Sequence, residues 1–227
     1  MENVVRVLST LALKGAMDRL AGQYREIGAM RIDAGFAPTL GLMERLRKGE
    51  EADVVILTRE GLQELLDEGA VAVGSEVDLA RSYVGIAVEA GSVHPDIATE
   101  LSLRKALLAA RSVAYSRIGA SGIFFAGLIE RLGIAPEING KATITSGFTA
   151  ERLITGEADL AVQQLSELKQ VSGIEVVGPI PHELQTPTIF SAGRMVSSKE
   201  PDRADALLKF LASPEVAPTL RESGLEP

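Results

Sequence analysis

A chain of 227 residues, 46% hydrophobic and 24% charged, has room for two lobes or one large domain. Its formal net charge of −8 leaves no basic footprint for nucleic acid and repels anions at long range, so any anion site has to rest on local donors. Cysteine is absent, which excludes disulfides and thiolate chemistry, and two histidines, His94 and His182, do not make a histidine-rich metal site; neither a metal nor a cofactor is expected.

The elements alternate in chain order. "VVRVLS" (4–9) is short and β-branched and predicts a strand. Met17, Leu20, Ala21 and Tyr24 then recur on one helical face. "MRIDAGF" (30–36) is a second strand, followed by a helix through Leu42 and Leu46 that stops at Gly49. "ADVVIL" (52–57) is a continuous apolar run, the mark of a strand buried on both faces, and "GLQELLDEGAV" (61–71) is a helix ending near Gly69. The rhythm restarts after Asp78 with a strand "SYVGIAVEAG" (82–91), a proline loop "SVHPDI" and a helix over Leu103–Ala110. "SVAYS", "KATIT", "ADLAVQ" and "IEVVG" predict four more strands, with helices near Ile123–Leu132 and Ala150–Ile154. A late strand "TPTIFSAGRM" (186–195) precedes two closing helices, Arg203–Ala212 and Pro214–Ser223.

Strands alternating with helices predict an α/β fold with parallel-rich mixed sheets covered by helices. No linker, internal repeat or low-complexity segment divides the chain. The expected organisation is two lobes crossed twice, along strands near 82–88 and 186–194. Residues 1–82 and 190–227 would form lobe I, residues 83–189 lobe II, and the ligand cleft would lie between them. No apolar stretch reaches the roughly 18–20 residues of a membrane span. "MENVVRVLST" lacks the features of a signal peptide. The expected location is therefore the cytoplasm, or the periplasm if a signal peptide has been removed.

In open parallel sheets ligands bind beyond the strands' carboxyl ends. The strand ends here carry Ser9 and Thr10; Thr39; Thr58; Ser116, Arg117, Gly119, Ser121 and Gly122; Ser146, Gly147 and Thr149; and Gln163, Gln164 and Ser166. Hydroxyls donate hydrogen bonds without adding charge, glycines let backbone N–H groups approach a ligand, and helix N-termini add partial positive charge. Together they make a cup for a small anion. Helix capping accounts for the same residue types, so each loop alone is weak evidence. Arg117 is sharper, because a guanidinium forks onto a carboxylate. Arg81, Gln163 and His182 are weaker candidates. "RIGASG" is not a phosphate-binding P-loop, no G-x-S-x-G is present, and no pair of carboxylates shares a convincing site.

These strand ends, with "VLSTLALKGAMDRLAGQYRE", "FAPTLGLMERLRKGEEADVVILT", "GEADLAVQQLSEL" and "ALLKFLASPEVAPTLRESGLEP", resemble the type II periplasmic binding-protein fold over nearly the whole chain. The closest branch in pattern is that of molybdate-binding proteins of ABC transporters. The resemblance implies a two-lobed α/β fold that shuts on a ligand held by Ser9, Thr10, Thr39, Ser116, Arg117, Ser121, Gly122 and Gln164. Gln164 stands where molybdate binders usually carry a tyrosine, and Arg117 departs from their neutral donor set. Both departures favour an organic acid. Bacterial aconitate isomerases look like enzymes on the same scaffold, and an allylic proton shift needs a base, for which Lys14, Tyr115 and His182 stay open. The expected function is binding of a small oxyanion, first an organic di- or tricarboxylate, for an ABC-type transporter or a sensor. An aconitate isomerase-like enzyme and a molybdate or tungstate receptor are the alternatives. Expected partners are a small anionic ligand and an ABC transporter permease. Nucleic acid, membrane insertion and, beyond a monomer, oligomerisation are not expected.

Overall fold

The structure is a computed structural model that describes residues 4–27 and 30–227. In chain order its elements are β1 (Val4–Ser9), α1 (Lys14–Glu26), β2 (Arg31–Phe36), α2 (Thr39–Arg47), β3 (Val54–Thr58), α3 (Arg59–Asp67) and β4 (Val77–Ser82). Next come β5 (Val84–Glu89), α4 (Glu100–Ala109), β6 (Val113–Tyr115), α5 (Ala120–Arg131), α6 (Ala135–Asn139), β7 (Ala142–Ile144), α7 (Glu151–Ile154), β8 (Leu160–Gln164), α8 (Leu165–Leu168) and β9 (Ile174–Pro179). The chain closes with β10 (Thr188–Arg194), α9 (Pro201–Leu211) and α10 (Ala217–Glu222). Two compact units result, one built from the chain up to Arg81 together with Thr188–Pro227, the other from Ser82–Pro187.

The first unit holds a sheet in the order β2-β1-β3-β10-β4. Strand β1 runs parallel to β2 and β3, and β10 runs antiparallel to β3. All five residues of β3 are buried, because side chains alternate between two covered faces. Val54 and Ile56 join Val5, Val7, Met17, Leu20, Tyr24, Leu207 and Leu211 under α1 and α9. Val55 and Leu57 join Leu8, Leu42, Met43, Leu62 and Leu65 under α2 and α3. The edge strand β4 carries charges that mask its alternation in the sequence. Asp78 is satisfied by Arg59 and, at 2.6 Å, by the Ser191 hydroxyl of β10.

The second unit repeats the plan with the order β7-β6-β8-β5-β9. Strand β6 is parallel to β7 and β8, whereas β5 is antiparallel to both β8 and β9. One face packs Ile86, Val113, Tyr115 and Val162 against Leu103, Leu107, Phe125 and Leu128 of α4 and α5. The other face is lined by Ala87, Ala114 and Ala161, whose small side chains let Leu153 of α7 and Leu168 of α8 pack closely. The fold is thus α/β with two mixed sheets, parallel-rich on one side of each and antiparallel on the other.

Three details differ from the sequence reading. The segment read as one strand over 82–91 is preceded by a separate strand, β4, from which only Tyr83 divides β5. The short helices α6 and α8 were not expected, because a run of four or five residues is too brief to show helical periodicity.

Gly85 of β5 shows how tight the second unit is. A Cβ there would lie 2.4 Å from Leu165 Cδ2 and 2.8 Å from the Gly178 carbonyl oxygen. The latter is backbone and cannot swing away. Gly85→Ala is therefore expected to lower stability by about 1–3 kcal/mol, the usual cost of overpacking, and chemical denaturation will read it as a lower midpoint with an unchanged slope.

Candidate functional site

In each unit the parallel strands deliver polar residues to the starts of the following helices. In the first unit β1 ends at Ser9, fully buried, whose hydroxyl donates to the Thr10 carbonyl at 3.3 Å. Thr10 N–H donates to the Ile56 carbonyl of β3, and Ser9's carbonyl accepts from Ala37, so the ends of β1 and β3 and the start of α2 are tied together. Thr39 opens α2, and its hydroxyl accepts from Thr58 N–H at 3.2 Å. Thr58 caps α3 by accepting from Gly61 N–H at 3.3 Å. A hydroxyl that serves as acceptor keeps its one hydrogen free to donate. Thr10 goes further: its Oγ1 is buried and has no partner among the described residues.

In the second unit β6 ends in Tyr115 and hands over to Ser116, which is buried. The Ser116 hydroxyl accepts from Ile118 N–H at 3.2 Å and Gly119 N–H at 3.1 Å, again leaving its own hydrogen uncommitted. Helix α5 then starts at Ala120, with Ser121 buried in its first turn. Gly122 is required for this turn, since a Cβ there would fall 1.6 Å from the Ser116 carbonyl oxygen. Arg117 is exposed and, among the described residues, makes no hydrogen bond or ion pair. Most other arginines do: Arg6, Arg19, Arg45, Arg47, Arg59, Arg111, Arg152 and Arg194 all pair with carboxylates.

The end of β8 is a network rather than a row of free groups. Gln163 Oε1 accepts from Thr149 N–H at 2.7 Å and from the Thr149 hydroxyl at 3.0 Å, while its Nε2 donates to the Gly147 carbonyl at 3.1 Å. Gln164 and Glu167 form a reciprocal capping box around α8, with Gln164 N–H donating to Glu167 Oε2 at 3.3 Å. Glu167 is the residue that the sequence reading missed. The Gln-x-x-Glu spacing was a usable capping signal, but nothing in the sequence announced its burial. Burial pushes its carboxyl up from 4.5 to about 7, opposed by the hydrogen bonds from Gln164 N–H and the Gln163 side chain.

The weaker candidates are placed as follows. Arg81 donates from Nε to Glu226 at 2.9 Å and bridges the same residue through its backbone, which pins the C-terminal residues to β4. His182 is exposed, with its ring edge-on to Tyr83 at 4.6 Å between centroids. Of the possible bases, Tyr115 is buried and donates its hydroxyl to Asn139 at 2.6 Å, so it does not offer itself to a substrate. Lys14 opens α1, pairs with Asp18 at 2.7 Å and lies 5.3 Å from the Phe36 ring centroid. Among the described residues no three His, Asp or Glu side chains are grouped to hold a metal, and no helix is long and apolar enough to cross a membrane.

Glu167 has a thermodynamic consequence. Its folded-state pKa lies above the unfolded value, so its neutral form contributes fully below about pH 4 and that contribution is lost as pH rises through about 7. Glu167→Gln, which carries no charge, is therefore expected to be more stable than the wild type at pH 8.5, by about 1–3 kcal/mol, and to show no such advantage at pH 4.5. Urea titrations at the two pH values measure this.

Comparison with known proteins agrees with this architecture. The chain matches the bacterial extracellular solute-binding protein family over residues 5–226. It is 36% identical over 228 residues to an aconitate isomerase from a Pseudomonas species, covering 97% of this chain and 87% of that protein. The periplasmic molybdate-binding protein of Azotobacter vinelandii superposes with a TM-score of 0.83 at 17% identity, covering 98% of this chain and 99% of that one. The sulfate-binding protein SubI of Mycobacterium tuberculosis superposes at 0.75 with 13% identity, covering 100% of this chain and 87% of that one. With a family match running almost end to end and superposition over nearly the whole chain, the chain belongs to the bacterial extracellular solute-binding protein family and has the type II periplasmic binding fold.

Proposed function

We propose that this solute-binding protein takes a small organic polycarboxylate, of the class of aconitate, as the receptor of an ABC-type transporter or a sensor acting outside the cytoplasm. The observation that carries the reading is Arg117. It is an uncommitted guanidinium at the N-terminus of a 12-residue helix, flanked by Ser116 and the buried Ser121. A planar fork beside neutral hydroxyls and a helix dipole suits a carboxylate, which takes two parallel hydrogen bonds. Ser9, Thr10 and Thr39 supply uncharged donors, which offset the general repulsion from a net charge of −8. The likeness to an aconitate isomerase narrows the acid to an unsaturated tricarboxylate.

The test is calorimetric titration with trans-aconitate, cis-aconitate, citrate, molybdate and sulfate. A carboxylate is expected to bind, and Arg117→Ala to weaken it by about 30-fold or more, corresponding to at least about 2 kcal/mol. Binding of molybdate or sulfate that is indifferent to Arg117→Ala overturns the reading. Closure on the ligand predicts a smaller radius of gyration in solution scattering when the acid is added.

A second reading, isomerisation of aconitate, is favoured by the same relative. It requires a base to move the allylic proton, and Lys14 and His182 are the groups left to supply it. Proton NMR of cis-aconitate incubated with micromolar protein decides between the two: appearance of the trans isomer marks an enzyme, and an unchanged spectrum after hours marks a receptor.

A further inference from the structure

We propose that Lys14 is the residue by which the first unit selects acids with more than one carboxylate: its ammonium, at the start of the helical run that Thr10 opens, takes a second carboxylate of the ligand, with the Thr10 hydroxyl as a neutral co-donor. This rests on the reading above, in which Arg117 of the second unit serves one carboxylate and Thr10 belongs to the ligand face of the first.

The start of α1 is built to meet an anion but carries no acidic side chain. Strand β1 ends at Ser9, Thr10 follows, and one tight helical turn, Leu11–Leu13, runs without a break into α1. Leu13 N–H donates to the Thr10 carbonyl at 3.2 Å. The Thr10 side chain caps no N–H of this turn; the residue is 4% exposed, and its Oγ1 has no partner among the described residues. The unsatisfied N–H groups of a helix start favour an acid in the first turn, and neither segment has one. The first charged residue of the run is instead a cation, Lys14. Its ammonium lies over the Phe36 ring, 5.3 Å from the centroid, close enough for the ring face to attract it. Phe36 is the last residue of β2 and stands in register with Ser9, whose carbonyl accepts from Ala37 N–H at 3.2 Å. The ammonium is therefore held at the end of the sheet from which Ser9 and Thr10 emerge.

The fold gains little from a lysine at this point. A cation at a helix start opposes the dipole. Lys14 donates to Asp18 Oδ2 at 2.7 Å, but a lysine four residues before its acid is the weaker order of such a pair. Both side chains are open to water, 36% and 55% exposed, where an ion pair contributes little. An ammonium has three donors, and Asp18 takes one. Of the three helices that follow the parallel strands of this unit, α2 opens with Thr39 and has no charged residue before Glu44. Helix α3 opens with Arg59, whose Nε and Nη2 both go to Asp78, an acid that the Ser191 hydroxyl also meets. Arg59 is consumed by the fold, whereas Lys14 keeps donors to spare. Neutral hydroxyls serve any oxyanion; a cation added to them favours a ligand with a further negative charge.

Calorimetric titration with trans-aconitate and with crotonate, an unsaturated monocarboxylate, tests this in the wild type, Lys14→Met and Asp18→Asn. Lys14→Met is expected to weaken trans-aconitate about tenfold or more and crotonate less than about threefold. Asp18→Asn removes the partner that competes for Lys14 and is expected to strengthen trans-aconitate about threefold. A purely structural ion pair is lost equally in both variants, so weakening in both, or no change in either, overturns the proposal, as does an equal loss for the two acids. Contact is read directly by acylating the wild type with acetic anhydride and mapping the lysines by mass spectrometry. Trans-aconitate is expected to slow Lys14 about fivefold relative to Lys48 and Lys199, exposed lysines of the same unit paired with Glu44 and Glu51. A Lys14 that is not protected overturns the proposal, and this arm decides should Lys14→Met fail to fold. Isomerisation of aconitate that Lys14→Met abolishes at unchanged affinity makes Lys14 a base and overturns it too. Binding of molybdate or sulfate with no carboxylate removes the reading above by itself; a loss of about tenfold in Lys14→Met for that dianion then keeps Lys14 as the selector of charge, and no loss overturns both.

Discussion

Backbone N–H groups at the ends of buried parallel strands must find acceptors, and in this protein side-chain hydroxyls provide them. Leaving such a group unpaired costs about 1–3 kcal/mol, so the loops that follow the strands are constrained to carry serine and threonine. Thr39 receives Thr58 N–H, Thr58 receives Gly61 N–H, and Ser116 receives two amides. The same arrangement that satisfies the backbone orients each hydroxyl and leaves its hydrogen to donate. In the carboxylate-binding role proposed above, fold stability and ligand affinity would draw on one set of groups, local donors offsetting a net charge of −8 without a basic surface.

The sheets make that arrangement possible by being covered on both sides. In the first unit consecutive residues of β3 feed two separate cores, so β3 tolerates no polar residue before its end at Thr58. In the second unit one face is reduced to alanines, and a glycine, Gly85, admits Leu165 of α8. That close approach packs α8, which follows β8 directly, against β5, with the Gln164–Glu167 capping box at the junction. The antiparallel strands β5 and β10 are the ones along which the chain enters one unit and returns to the other, which is why each sheet is mixed.

Charge is used in two distinct ways. Most arginines are spent on exposed carboxylates, in pairs that contribute little net stability in water. Arg117 is not, and it stands where a helix begins, a position at which a cation gains nothing from the helix dipole. That position is what the proposed carboxylate site rests on. Glu167 is the opposite case, a carboxyl enclosed by neutral amides, and its environment rather than any partner charge sets its proton affinity.

The alternation of short apolar runs with helical faces sufficed to establish the α/β class, the order of most strands, and the hydroxyl-rich turns at Ser9–Thr10, Thr39 and Ser116–Gly122, because periodicity and turn chemistry are local properties. Strand β4 stayed hidden because Asp78 and Arg81 break its alternation, and their partners Arg59, Ser191 and Glu226 come from distant parts of the chain. The fate of each candidate was likewise tertiary. Tyr115 looked like a possible base and is spent on Asn139; Gln163 looked like a ligand donor and is engaged by Gly147 and Thr149; Glu167 drew no notice in the sequence and is buried. Which polar side chain is free and which is used depends on groups brought together from far along the chain, and only folding makes those pairings.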